Sequence, residues 1–172
     1  YNSINAGGGN NLITTHERST ITTGDGDDSI TAGGWYSAIF AGDGDNRIVI
    51  NTSYGSTVET GNGNDVIDLT STTGTSYVTT GIGNDKIIGL VSGSTINVAA
   101  SVSSVTSGSN LILNNRYGSI TVEGGANIVM VMSTYPGASA SDVESNLTKV
   151  LENSLNGVEH LKDMTSRSQE NI

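Results

Sequence analysis

The chain has no cysteine, one proline, one tryptophan and one phenylalanine, and aromatic residues make up 5% of its 172 positions. Without cysteine there are neither disulfides nor thiolate metal sites, which fits an extracellular route that does not rely on disulfides. So few large side chains exclude a conventional globular core. No apolar run is long enough for a transmembrane helix, and no signal peptide is visible. The chain opens on Tyr1 rather than Met, which reads as an excised or processed piece of a longer protein. Basic residues are scarce as well: 7 Lys and Arg stand against 17 Asp and Glu, a net charge of −10. An acidic chain of this kind is a poor partner for nucleic acid or anionic membranes.

What the chain has is glycine, 23 residues of it, and a repeat. Five apolar residues are each followed nine positions later by another: Ile4/Ile13, Ile21/Ile30, Ile39/Ile48, Val58/Ile67 and Val78/Ile87. The stretches joining one unit to the next lengthen through 8, 9, 10 and 11 residues, so one half of the unit tolerates insertion and the other does not. Self-similarity at 17 to 20 residues is the mark of a solenoid, whose units bury their apolar faces only by stacking. Each unit reads as two short alternating strands, with Ile or Val inward and hydroxyl residues outward. A Gly-x-Gly corner joins them, and a loose, turn-rich corner leads to the next unit. The same spacing recurs at Ile96/Val105 and Ile120/Val129, which extends the expectation to seven rungs. Seven rungs at about 4.8 Å each make a stack roughly 30 Å long.

The half that keeps its length carries the chemistry. Counted from the inward residue of the first strand, positions +3 and +5 are always glycine: Gly7/Gly9, Gly24/Gly26, Gly42/Gly44, Gly61/Gly63 and Gly81/Gly83. Glycine lets the chain turn with positive φ and aim its carbonyls at one point. Position +6 reads Asn10, Asp27, Asp45, Asn64, Asn84, and position +7 reads Asn11, Asp28, Asn46, Asp65, Asp85. Stacked one rung apart, these corners offer only oxygen, the coordination suited to Ca²⁺; no His or Cys is present for a softer metal. Two carboxylates about 5 Å apart repel by roughly 3 kcal/mol at an effective dielectric of about 20, and a divalent ion between rungs reverses that sign. The competing reading is plain turn chemistry, with Asn ladders as in metal-free β-helices.

These corners resemble degenerate copies of the RTX (hemolysin-type) nonapeptide G-G-x-G-x-D-x-U-x, a calcium-binding repeat. The resemblance covers about residues 4 to 90. It implies a right-handed parallel β-roll in which the sixth-position aspartate binds Ca²⁺. By position that residue is Asp28, Asp65 and Asp85, with Asn11 and Asn46 as substitutes, flanked by Asp27, Asp45, Asn64 and Asn84. The first glycine of the motif is replaced by Ala6, Thr23, Ala41, Thr60 and Thr80, and the motif occurs once per coil, so ions are expected along one edge only. This single-edge spacing is similar to the calcium-bound repeats of some bacterial ice-binding adhesins. Four ions are expected in the gaps between the first five rungs, tightest at Asp65/Asp85 and weakest at Asn11/Asp28. None is expected at the sixth corner (Val98 to Ser103) or the seventh (Glu123 to Asn127).

The expected fold is thus all-β: a right-handed parallel β-solenoid over residues 1–132, followed by an α-helical cap or tail over 133–172. The tail opens on a capping box, Ser141-Asp142-Val143-Glu144, and carries Leu147, Val150, Leu151, Leu155, Val158 and Leu161 at helical spacing. It reads as an end cap, as an uncleaved C-terminal export signal of the type I secretion kind that RTX-like proteins use, or as a partner-binding coil. No catalytic constellation is visible: His16 and His160 read as solvated, and Arg47 and Lys86 as charge balance beside acidic corners. Trp35, Tyr36, Tyr54, Tyr77 and Tyr117 read either as packing across loose corners or as a sugar-stacking strip. Outward Thr20, Thr22, Thr57 and Thr79 keep an ice- or surface-binding face in view, although position +4 (Gly8, Asp25, Asp43, Asn62, Ile82) lacks regular rows. The expectation is a non-catalytic, calcium-dependent module of a larger secreted or surface bacterial protein, exported unfolded and stacked where calcium is plentiful. Its alternatives are an accessory segment of a toxin or polysaccharide-active enzyme, and an adhesin region.

Overall fold

The computed structural model describes residues 1–91, 93–98, 102–107, 110–115, 118–123 and 129–133, all of them in strands or the turns between strands. Among them there is no helix. The helix expected over 133–172 lies outside the described residues, apart from Ser133.

Two sheets face each other. The first holds seven strands in the order β1 (Asn2–Gly7), β3 (Ser19–Thr23), β5 (Ala38–Phe40), β7 (Thr57–Glu59), β9 (Tyr77–Thr80), β11 (Ser94–Val98) and β15 (Val129–Ser133). The second holds β2 (Leu12–Thr15), β4 (Ser29–Gly34), β6 (Arg47–Thr52), β8 (Val66–Asp68), β10 (Asn84–Ile88), β14 (Gly118–Glu123), β13 (Asn110–Asn115) and β12 (Val102–Ser107), in that order. Over β1 to β11, consecutive strands alternate between the sheets and pair in parallel with the strand one unit away, which makes a β-solenoid of about five turns.

The register follows the apolar columns. In the first sheet Ile4 pairs with Ile21, Ile21 with Ile39, Ile39 with Val58, Val58 with Val78, and Val78 with Ile96. In the second, Ile13, Ile30, Ile48, Ile67 and Ile87 pair in the same succession. Nearly all of these side chains are fully buried, backed by Ala32, Ile50 and Leu69 two residues further on. The core is therefore two aliphatic ladders meeting between the sheets. β-Branched residues suit it because identical side chains stack in one rotamer along a pleated surface.

Beyond the fifth turn the expected pairing gives way. Val105 does lie in the second sheet, but in β12 at its far end, antiparallel to β13 and opposite Leu113, rather than beside β10. Ile120 lies in the second sheet, not the first: β14 runs parallel to β10 and brings Val122 opposite Ile87. Val129 starts β15 of the first sheet, which brings Val131 opposite Ile96. The Ile120/Val129 spacing thus joins second sheet to first, the reverse of the repeat, and the seven-rung count does not follow from it. The physical reason is loop length. Only Gly108-Ser109 and Arg116-Tyr117 separate β12, β13 and β14, and two residues close a hairpin but cannot cross over to a parallel strand.

Candidate functional site along the glycine corners

Each corner reverses the inside-outside alternation of the strand before it: position +2 is still buried in four of the five corners, but from +4 onward the parity is switched. Position +7 turns inward: Asp28 is 2% exposed, Asn46 1%, Asp65 0% and Asp85 2%, with Asn11 half-buried at the end of the stack. Positions +4 and +6 turn outward and are exposed in all five corners. The residues expected to act together therefore separate into an inner row and an outer row.

Both rows are hydrogen-bonded from rung to rung, in opposite senses. In the inner row the backbone N–H of Asn11 donates to Asp28 Oδ1 at 2.8 Å, that of Asp28 to Asn46 Oδ1 at 3.1 Å, that of Asn46 to Asp65 Oδ1 at 2.9 Å, and that of Asp65 to Asp85 Oδ1 at 3.1 Å. In the outer row the N–H of Asp27 donates back to Asn10 Oδ1 at 2.9 Å, Asp45 to Asp27 at 2.8 Å, Asn64 to Asp45 at 2.7 Å and Asn84 to Asn64 at 3.1 Å. Backbone bonds run alongside, such as Gly24 N–H to Gly7 O at 2.8 Å and Gly26 N–H to Asp43 O at 2.8 Å. Turn geometry and interlocked Asx side chains together hold this half of the unit to nine residues.

The two glycine columns, expected together as turn-makers that aim carbonyls at one point, have different causes. Position +5 needs positive φ throughout: 90° at Gly9, 136° at Gly26, 123° at Gly44, 145° at Gly63 and 151° at Gly83. Position +3 has positive φ only at Gly7. At Gly42, Gly61 and Gly81 glycine is required because the rung beneath is too close, and at Gly24 a Cβ would be tight: on Gly42 it would stand 2.6 Å from the carbonyl oxygen of Gly24. The expectation of positive φ thus holds for one column and is corrected for the other.

Close stacking adds a second constraint on the glycine columns, and Gly63 shows how. Its N–H donates to Ile82 O of the next rung at 2.9 Å, a Cβ on it would run into the Gly44 carbonyl, and its own carbonyl would meet a Cβ on Gly83. Gly63 is thus pressed between two rungs. Space between main chains selects glycine there as much as carbonyl aim does. In two corners the carbonyls of the pair are already taken, by side-chain amides.

The inner row contains two kinds of corner. In the asparagine corners the amide satisfies its own turn: Asn46 Nδ2 donates to Gly42 O at 3.0 Å and to Gly44 O at 2.9 Å. Asn11 Nδ2 does the same to Gly7 O at 3.2 Å and to Gly9 O at 2.6 Å. In the aspartate corners the second carboxylate oxygen, Oδ2 of Asp28, Asp65 and Asp85, is buried with no hydrogen-bond partner. The buried hydroxyls of Thr23, Thr60 and Thr80 in the same three corners make no well-formed hydrogen bond either, although Thr60 and Thr80 lie close enough to Asp65 and Asp85 to hold those carboxyls down in part. Burial pushes the Asp85 carboxyl up to about 6 and that of Asp65 upward as well. For Asp85 the backbone N–H of Asp65 and the nearby Thr80 hydroxyl pull the other way without offsetting the loss of solvent. A buried carboxylate oxygen with no donor is costly unless a proton or a cation meets it.

An oxygen-only set of carboxylate, hydroxyl and glycine carbonyls fits a hard divalent cation such as Ca²⁺. Among the described residues no three His, Cys, Asp or Glu side chains converge on one point, so a cation here would draw most of its donors from backbone and hydroxyl oxygen rather than from a carboxylate cage.

The loose edge holds features that the repeat analysis missed. Position −2 is a buried serine ladder: Ser19 N–H donates to Ser37 Oγ at 3.4 Å, Ser37 to Ser56 at 3.3 Å, Ser56 to Ser76 at 3.2 Å, and Ser76 to Ser94 at 3.0 Å. Its signal was in the sequence, a serine two residues before every inward residue from Ile21 to Ile96, hidden because the flanking loop varies in length. Trp35 packs on Tyr54 with ring centres 6.0 Å apart, and the Arg18 guanidinium lies between the rings of Tyr1 and Tyr36, 5.4 and 5.7 Å from their centres. Trp35 and Tyr54 thus pack across neighbouring loose corners, and Tyr117 lies outside the described residues. His16 is exposed, and Lys86 pairs with Glu123 at 2.9 Å.

A family model described as the AcrB/AcrD/AcrF family matches residues 125–172, well under half of the chain and almost all outside the described residues. No curated protein and no solved structure matches the chain.

Proposed function

We propose that the chain is a non-catalytic, calcium-binding β-solenoid module of a larger secreted or surface bacterial protein, of the RTX-like kind, whose stacking is coupled to calcium. The observation that carries this reading is the set of three buried carboxylates, Asp28, Asp65 and Asp85, each with an unpartnered oxygen in a corner that also buries a threonine hydroxyl. The formal charge of −10, with Asp25, Asp27, Asp28, Asp43 and Asp45 in two adjacent corners, opposes stacking in the absence of cations. Binding of an ion only to the stacked state stabilises that state by mass action. Extracellular modules of this class work at roughly 10⁻⁴ to 10⁻³ M calcium, so the chain would stay open where calcium is scarce and lock where it is plentiful.

A second reading rests on the same corners. The Asx rows already tie every corner to the next without any ion, and a metal-free structural solenoid would need nothing more than protonation of the buried acids. Far-ultraviolet circular dichroism and thermal melts in EGTA and in millimolar calcium separate the two. The calcium reading expects β-structure and melting temperature to rise together with calcium; identical spectra and melts in both conditions establish the metal-free solenoid instead.

A further inference from the structure

We infer that only three of the five corners take a cation, and that in the other two the asparagine side-chain amide stands in the cation's place. This rests on the calcium reading above and narrows the four gap sites expected from the sequence to three corner sites. In four of the five corners the +7 side chain is aligned by the rung before it: Oδ1 of Asp28, Asn46, Asp65 and Asp85 accepts that rung's N–H. Held by the same bond in the same corner, the other terminal atom is directed to the same place. In Asn46 that atom is Nδ2, and it donates to the +3 and +5 glycine carbonyls, as does Nδ2 of Asn11 in the first corner. In Asp28, Asp65 and Asp85 it is an oxygen, which offers those carbonyls no donor and finds none itself. A positively polarised N–H₂ group satisfies the nearby oxygens in one kind of corner; the other kind lacks a positive centre, and a cation supplies it.

Position +2 changes in step with position +7. The three aspartate corners carry Thr23, Thr60 and Thr80, and the two asparagine corners carry Ala6 and Ala41. All three threonine hydroxyls, and the second carboxylate oxygen of the same corner, are buried without a well-formed hydrogen bond, with Thr60 and Thr80 set beside Asp65 and Asp85. A hydroxyl is useful where a cation needs another oxygen and superfluous where an amide has closed the turn, so alanine fills that position instead. The matched pairs Thr/Asp and Ala/Asn thus act as a two-letter code for an ion-filled or a self-closed corner. The filled corners are Thr23/Asp28, set between two self-closed ones, and the neighbours Thr60/Asp65 and Thr80/Asp85.

Equilibrium calcium binding to the full chain, counted by isothermal titration and by ⁴⁵Ca retention, is expected to give three ions. The double variant Ala41→Thr/Asn46→Asp is expected to take up four, and Thr60→Ala/Asp65→Asn two. In EGTA, where no ion contributes, Thr60→Ala/Asp65→Asn is expected to melt at a higher temperature than the parent, because the new amide closes the corner. Thr23→Ala/Asp28→Asn, at the isolated corner, repeats that comparison should the first variant fail to fold. A parent count of four or five, an unchanged count in Ala41→Thr/Asn46→Asp, or lower melting of both amide variants in EGTA overturns the inference while leaving calcium binding intact. A parent count of zero overturns the calcium reading itself.

Discussion

At the scale of single residues, the buried aspartates set the response to pH. The folded-state pKa of Asp85 stands at about 6 and that of Asp65 is raised, both through burial, against a reference of 3.8. A raised carboxyl binds its proton more tightly in the folded chain. In chelator it therefore weakens the fold fully above pH 6, and that penalty fades as pH falls towards 3.8. For Asp85 that penalty is on the order of 3 kcal/mol. Asp68 acts in the opposite sense: the Thr70 hydroxyl holds its carboxyl low, so its contribution is present above 3.8 and is lost only below the window in question. The expected outcome is a higher melting temperature at about pH 5 than at about pH 7.5 in EGTA, with a smaller difference in Asp85→Asn. A melting temperature rising over that interval would show that these acids are not buried as described.

The glycine columns also make their case residue by residue. Gly9 and Gly44 share positive φ, at 90° and 123°, but only Gly44 has a rung beneath it. A Cβ on Gly9 would meet nothing within 4 Å, whereas one on Gly44 would press on the Gly26 carbonyl, its carbon only 2.6 Å away. Gly9→Ala is expected to cost about 1–2 kcal/mol of backbone strain. Gly44→Ala adds a clash with main chain that cannot step aside, for a total above about 3 kcal/mol. Chemical denaturation of the two variants tests this, and equal losses would mean that conformation alone selects glycine here.

At the scale of elements, each edge of the stack is sewn by its own side chains. The serine ladder of the loose edge is buried, whereas the outer Asx row of the glycine edge is exposed. Ser56→Ala leaves the Ser37 N–H without its acceptor in a place water does not reach, a loss of about 1–3 kcal/mol. Asn64→Ala removes the acceptor of the Asn84 N–H where solvent can replace it, and is expected to cost well under about 1 kcal/mol. Stability of the two variants by urea denaturation is expected to follow that order, and a larger loss in Asn64→Ala would reverse the assignment of inner and outer edges. The hairpin pair β12 and β13 extends the second sheet only, so the coil ends unevenly: the parallel rows stop at β14 on one side and at β15 on the other.

At the scale of the molecule, stability is a sum of neighbour contacts along one axis, with no central mass of side chains. Ile48 is fully buried between Ile30 and Ile67, while Ile4, in the first rung, is only partly covered. Ile48→Ala is expected to lose about 2–5 kcal/mol and Ile4→Ala about half as much or less, measured by urea denaturation. Comparable losses would argue that the first turn is covered as well as the third.

The sequence by itself determined the repeat, the two ladders of the core, their register over five turns and the oxygen-rich edge. It could do so because in parallel, in-register stacking a column of the alignment is a row in space: Ile21, Ile39 and Val58 line up on paper as they do between the sheets. Only the tertiary structure decided where that equivalence ends. From β12 to β14 successive strands pair antiparallel across two-residue connections, so counting nine from Ile96 or Ile120 no longer reaches the facing strand. The structure also decided that position +7 faces inward and +6 outward, that Gly63 and its column are pinned by the rungs on either side, and that an amide closes two corners while three keep bare oxygens. Those differences come from atoms one rung apart, where hydrogen-bond direction and burial distinguish Asp from Asn, which a column of residue types treats as the same kind of turn residue.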